Sequence, residues 1–231
     1  MIKRELNERS PLRILEKSTH GGLGKGNIGV ICARKGVGKT ACLVHIATDR
    51  LLRELQVIHV SFAADTRHII AWYEDIFSEI ARRFSLESAR QVHDEIRKHR
   101  IIMNFNQEGI GLARVIRSTQ AMIRDGQFSA DCLVVDGYDF TRIRREEIRE
   151  IKAFAAEQNL EIWFSVTLPE EEVPVPGIPL FLKDFSAEIG VLIRLEPKDG
   201  HIGLTLLKDH ENSVSQDLEL MLDPKTLLIV R

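Results

Sequence analysis

Residues 33–40 read Ala33-Arg34-Lys35-Gly36-Val37-Gly38-Lys39-Thr40 and have the types and spacing of a phosphate cradle. Such a cradle needs backbone N–H groups turned inward, a lysine that reaches the outer phosphates, and a hydroxyl for a divalent cation. Gly36 and Gly38 permit the tight turn and the close approach of backbone to phosphate. Lys39 is placed for the β- and γ-phosphates, Thr40 for Mg²⁺, and Ala41 carries the chain on into a helix whose N-terminal dipole favours the anion. Ala33 stands where such loops usually have their first glycine, and an alanine fits there if its φ is negative.

A bound Mg²⁺ calls for a carboxylate at the end of a neighbouring strand. The run DCLVVD supplies one in Asp136, after four apolar residues, acting on the metal through water. Guanine-reading loops carry an N-K-x-D run, and the chain has none, so the expected nucleotide is ATP with Mg²⁺. The three cysteines, Cys32, Cys42 and Cys132, fall in apolar stretches without metal-ligand spacing and read as buried, reduced thiols.

The elements that must position these residues follow from hydrophobic periodicity. Apolar, β-branched runs recur at 27–33, 55–62, 100–105, 131–136 and 160–166. Segments of helical spacing lie between them at 40–54, 66–84, 87–98, 111–125 and 141–158. Continuous apolar strands alternating with amphipathic helices predict an α/β fold, a mostly parallel central sheet covered on both faces. From 186 to 231 the texture changes to short strand-like runs separated by KDG, HENS and DPK turns, read as antiparallel strands extending the same sheet. Residues 1–20 form a lead-in, and the length of 231 residues suits one domain over 1–231. The N-terminus lacks the apolar core of a signal peptide and no run reaches membrane-spanning length, which predicts a cytoplasmic protein without a membrane partner. A formal net charge of −2 gives no global case for nucleic acid.

With these features in order, the chain resembles RecA-superfamily P-loop ATPases of the single-domain KaiC-like and DnaB-like branch. The carriers are GGLGKG (21–26) just before the first core strand, the phosphate loop, VIHVSFAADT (57–66), and the tail from IGVLIRLEP to TLLI with a lysine near the end of LTLLK. The resemblance implies a RecA-like fold and a homo-oligomer, often a hexamer in this family, with ATP at subunit interfaces. It also implies a catalytic glutamate at the end of the second strand, and a lysine and an arginine one residue apart that act on a neighbour's γ-phosphate.

Two positions depart from that pattern. The expected glutamate is Ala63, which can neither accept a proton nor orient water. Asp65 lies two residues on, about 6.6 Å further if the strand continues. It reads either as a displaced base or as a helix N-cap. The lysine–arginine pair is Lys208 and His210. Strand alternation puts both on one face, where they read either as trans-acting groups or as a solvated turn, and histidine cannot make a guanidinium fork. Both departures point to slow or absent hydrolysis.

The expectation is therefore a Mg·ATP-binding, nucleotide-gated oligomeric interaction module with an unidentified protein partner. Its alternatives are an ATPase switch or motor using Asp65 or a neighbour's residue, and a DNA-linked ATPase. Against DNA, the loop PEEEVPVPGIP (169–179) carries three consecutive glutamates. The basic cluster TRIRREEIREIK (141–152) interleaves arginines with acids and reads as a solvated helix face with i,i+4 ion pairs.

Overall fold

The computed structural model describes residues 6–105, 111–172 and 177–231. A nine-stranded sheet runs through it in the order β3-β2-β4-β5-β1-β6-β7-β8-β9. The strands are β1 (Ile28–Ala33), β2 (Val57–Ser61), β3 (Arg100–Asn104), β4 (Cys132–Asp136), β5 (Glu161–Thr167), β6 (Ile189–Lys198), β7 (His201–Asp209), β8 (Asn212–Leu222) and β9 (Ile229–Val230). The strands from β3 across to β6 pair in parallel and those from β6 to β9 antiparallel, so the expected α/β class with an antiparallel C-terminal extension is what the chain adopts.

Among the described residues, the helices that flank the sheet include α1 (Leu12–Ser18), α2 (Lys39–Leu52), α3 (Thr66–Arg83), α4 (Ala89–Arg97), α5 (Leu112–Arg124) and α6 (Arg145–Glu157). One core packs α1 to α4 against one face of the sheet, and a second packs α5 and α6 against the other. Burial on both faces explains the continuous apolar strands: every residue of β1, β2 and β4 is buried. Cys32, Cys42 and Cys132 are buried and free, as their apolar surroundings suggested.

The helix after the glycine loop is apolar on nearly every side, and α2 is buried from Ala41 to Leu52. Its two buried charges, Asp49 and Arg50, must then be paired. Arg50 pairs with Glu161 of β5 and with Asp49, while Arg13 of α1 reaches Asp49 at 2.5 Å. This network ties the lead-in and β5 to the helix that carries Lys39 and Thr40. At Gly29 a side chain has no room: a Cβ would stand 2.5 Å from Cε3 of Trp163, its register partner on β5.

Two buried histidines make stability depend on pH. His45 of α2 is held down to about 4, chiefly by burial, with Asp49 opposing the shift and Arg83 adding to it. His59 of β2 is also held down to about 4, chiefly by burial, with Asp136 opposing and Arg100 adding. The unfolded chain protonates them near 6.5, so between about pH 6.5 and 4 it binds more protons than the folded one, and stability falls with pH. Urea unfolding should show the protein about 2–4 kcal/mol less stable at about pH 5 than at about pH 7. The difference should shrink in a His45→Gln, His59→Gln double variant; an unchanged difference would assign the acid sensitivity to other groups.

Several local readings need correction. The turn read over HENS is shorter than expected, confined to His210 and Glu211, because β8 starts at Asn212 and Asp209 pairs directly with Asn212. The left-handed His210, φ 52°, closes this tight hairpin and frees the following residues to join the ladder. The helix expected from 141 begins at Arg145, after a 3-10 turn over Phe140–Arg142. Its arginines do not form the i,i+4 pairs expected. Arg144 meets Glu147 at 3.4 Å, and Arg145 and Arg149 reach across to Asp184 (3.4 Å) and Glu188 (3.0 Å). A segment packed beside the helix offered nearer partners than the helix itself. In the proline-rich loop at 169–179, residues 173–176 lie outside the described residues, as do residues 1–5 of the lead-in.

Candidate functional site

The loop between β1 and α2 sits at the carboxyl ends of the parallel strands, beside the point where the connections change direction. Strand β1 leads to β2 on one side, past β5 and β4, while its other neighbour is β6. Crevices at such switch points are where open α/β sheets hold ligands. Gly36 and Gly38 take left-handed conformations, φ 80° and 103°. Nothing lies within 4 Å of where a Cβ of Gly36 would stand, so the loop is open on that side, whereas Gly38 is backed by Leu222. Ala33 keeps a negative φ, which is the condition under which an alanine fits the first position of the loop.

Three side chains converge beneath the loop. The Thr40 hydroxyl donates to Oδ2 of Asp136 at 2.9 Å. Ser165 of β5 donates to Oδ1 of the same carboxylate at 2.6 Å and accepts from the Gly137 amide at 2.9 Å. Lys39 turns its ammonium onto the carbonyls of Arg34 (2.8 Å) and Ala33 (3.2 Å). Burial lowers the Lys39 pKa and the Asp136 charge opposes that shift. Arg34, Lys35 and Val37 form the loop's crest, and Ala41 is buried at the start of α2. A cleft of about 490 Å³ opens beside the loop, walled by Ala33, Val37, Leu168, Pro179 and Pro197, with Arg34 at its edge. That volume falls in the range of small-molecule sites.

Ser165 is marked by no motif. The available sign was a lone hydroxyl in the apolar run LEIWFSV, but its use depends on β5 inserting between β1 and β4. The register pairs Val135 with Phe164 and Ile31 with Ser165, which sets Ser165 between the loop and Asp136.

Strand β2 lies on the other side of β4, with Ser61 opposite Asp136. The Phe62 amide donates to the Asp136 carbonyl at 3.0 Å, and the Ala63 amide to the Ser61 hydroxyl at 3.1 Å. Ala63 is thus two residues past the strand position beside the carboxylate and brings no acid there. The strand does not continue to Asp65. That residue caps α3, accepting from the Arg67 amide at 2.8 Å and pairing with the Arg67 guanidinium at 2.5 Å. These bonds hold its carboxyl below the usual range.

Lys208 and His210 sit far from the loop, since Lys208 lies near the beginning of β6, and β6 runs parallel to β1. Lys208 does not match the solvated-turn reading, whereas His210 does in part, since it lies in the hairpin turn past the end of β7 with its side chain partly exposed. Lys208 is buried, with its ammonium on the Ile189 carbonyl, in a stretch of β7 that is buried on both faces from Gly203 to Asp209. His210 lies beyond the strand, in the hairpin, and bonds back to Asp209 (2.7 Å) and to the Leu23 carbonyl (3.2 Å).

Among the described residues, no group of three or more His, Cys, Asp and Glu side chains could hold a metal ion. No helix among them is long and apolar enough to cross a membrane. Neither protein-family models nor curated proteins match this chain.

Proposed function

We propose that the protein binds Mg·ATP at the loop of residues 33–41 and hydrolyses it slowly or not at all, acting as a nucleotide-gated, oligomeric interaction module. The observation that carries the reading is the link from Thr40 to Asp136, a hydroxyl at the start of α2 and a carboxylate at the end of β4 brought together below an open glycine loop. Bound Mg²⁺ would neutralise charge on the β- and γ-phosphates. Thr40 would be its direct ligand, and Asp136 would hold the metal's water while Ser165 fixes the carboxylate's orientation. Lys39 would exchange its two carbonyl acceptors for phosphate oxygens, the stronger partners for an ammonium. The adjoining cleft would take the nucleoside. The strand order, with β5 between the strand of the loop and the strand of Asp136, supports a RecA-like reading of the fold.

Slow turnover rests on Ala63. No carboxylate occupies that position next to Asp136, and Asp65 is spent on capping α3. Nucleotide occupancy would then act through mass action on assembly or on a protein partner. DNA is not part of this reading: the arginines of 141–152 are paired with acids, and none forms an open basic patch with Asp184 and Glu188 beside them.

The direct test puts stoichiometric Mg·ATP on the purified protein, quenches after an hour and identifies the bound nucleotide. Bound, intact ATP is the expected result. Bound ADP with released phosphate would favour the ATPase-switch alternative, and no bound nucleotide would overturn the reading.

A further inference from the structure

A second cleft, of about 370 Å³, lies where the lead-in, the end of α3 and β9 meet over α2. None of residues 33–41 lines it, so it is separate from the phosphate loop. Its rim carries Arg83, with Arg9 and with Arg231, which stands 3.7 Å from Glu219; Glu8 is the one carboxylate side chain among its described lining residues. Arg13 also lines it, but Glu16 (2.7 Å) and Asp49 (2.5 Å) already match that charge. Arg83 is exposed and has no ion-pair partner among the described residues.

At the floor stands His45, only 4% exposed. Its Nδ1 accepts the Ile229 amide at 2.9 Å, which places the ring proton on Nε2. Burial keeps the ring neutral through ordinary pH. The Nε2–H is then a donor that no described residue accepts, on a ring that lines the cavity. Ile80 and Phe84 supply an apolar wall beside the arginines. A guanidinium group at the rim, a neutral donor at the floor and an apolar wall suit an oxyanion joined to an apolar body.

We propose that this cleft is a second ligand site, taking a small phosphorylated molecule whose phosphate meets Arg83 and the His45 Nε2–H while an apolar or aromatic body lies on Phe84 and Ile80. The site does not depend on the phosphate loop. It does share α2 with it, so a ligand on His45 touches the helix that begins with Lys39 and Thr40.

Calorimetric titration of the Lys39→Ala protein with phenyl phosphate and with inorganic phosphate, without Mg²⁺, tests the proposal. One saturable site is expected, with phenyl phosphate binding at least about fivefold more tightly because its ring is buried. Arg83→Glu should weaken it at least about tenfold through the lost charge-assisted bonds. Arg82→Glu, which changes charge by the same amount on a residue that pairs with Glu79 and does not line the cleft, should change it less than about twofold. The His45 ring nitrogens should shift in NMR spectra on titration. Absence of saturable binding, equal loss in the two arginine variants, equal affinity for the two probes or an unmoved His45 would each overturn it.

Discussion

Lys39→Ala is expected to bind Mg·ATP about 10- to 100-fold more weakly than the parent while folding as well. The loss corresponds to the charge-assisted bonds an ammonium makes to phosphate, about 1.5–3 kcal/mol. Of the lysine's present partners, the Arg34 carbonyl belongs to an exposed loop residue and the Ala33 carbonyl keeps the Leu168 amide at 3.0 Å when the side chain is gone, so little stability is at stake. Equilibrium dialysis with labelled ATP measures the affinity, and urea unfolding verifies the fold. Equal affinity in parent and variant would remove the phosphate loop from the account of what this protein binds.

The second large effect is a gain. Ala63→Glu should raise ATP turnover by about 100-fold or more, the usual scale of a positioned general base. Residue 63 is partly exposed and follows the end of β2, whose Ser61 is opposite Asp136, so a glutamate there can reach toward the water-side of the site without displacing core. Ala63→Gln, similar in size and unable to take a proton at neutral pH, is the control and should stay at the parent's rate. Steady-state phosphate release reads both. If Ala63→Glu is no faster than the parent, the base is missing for a reason other than this residue, and Asp65→Asn becomes the informative variant. Asparagine caps a helix about as well as aspartate, so a fall in turnover there would report chemistry and not the loss of the α3 cap.

The parts of the molecule legible in the sequence are those set by neighbours along the chain. Periodicity of two or 3.6 is a local property, and it located the strands of 27–33, 55–62, 100–105, 131–136 and 160–166 to within a residue or two of β1 to β5. The Asp65 cap was legible as one of two readings, because an N-cap is decided by the amides two and three residues on. What failed were statements about faces and partners. Strand alternation assigned Lys208 and His210 to one surface, but alternation holds only while the strand continues, and β7 ends at Asp209, before the left-handed His210 of the hairpin. Ion pairs of 141–152 were assigned along the helix when the nearer acids came from another segment.

From sequence alone came the loop of Gly36, Gly38, Lys39 and Thr40 and the strand-end Asp136, since each is a matter of residue type in a local conformation. Tertiary structure alone decided that β5 inserts between the strands carrying them, which gives Asp136 its second hydroxyl from Ser165. It also decided that Lys208 is buried, and that three segments far apart in the chain close a cleft over His45. The physical reason is common to all three. Strand order and packing follow from burying both faces of one sheet at once, a condition on the whole chain that no short stretch of residues expresses.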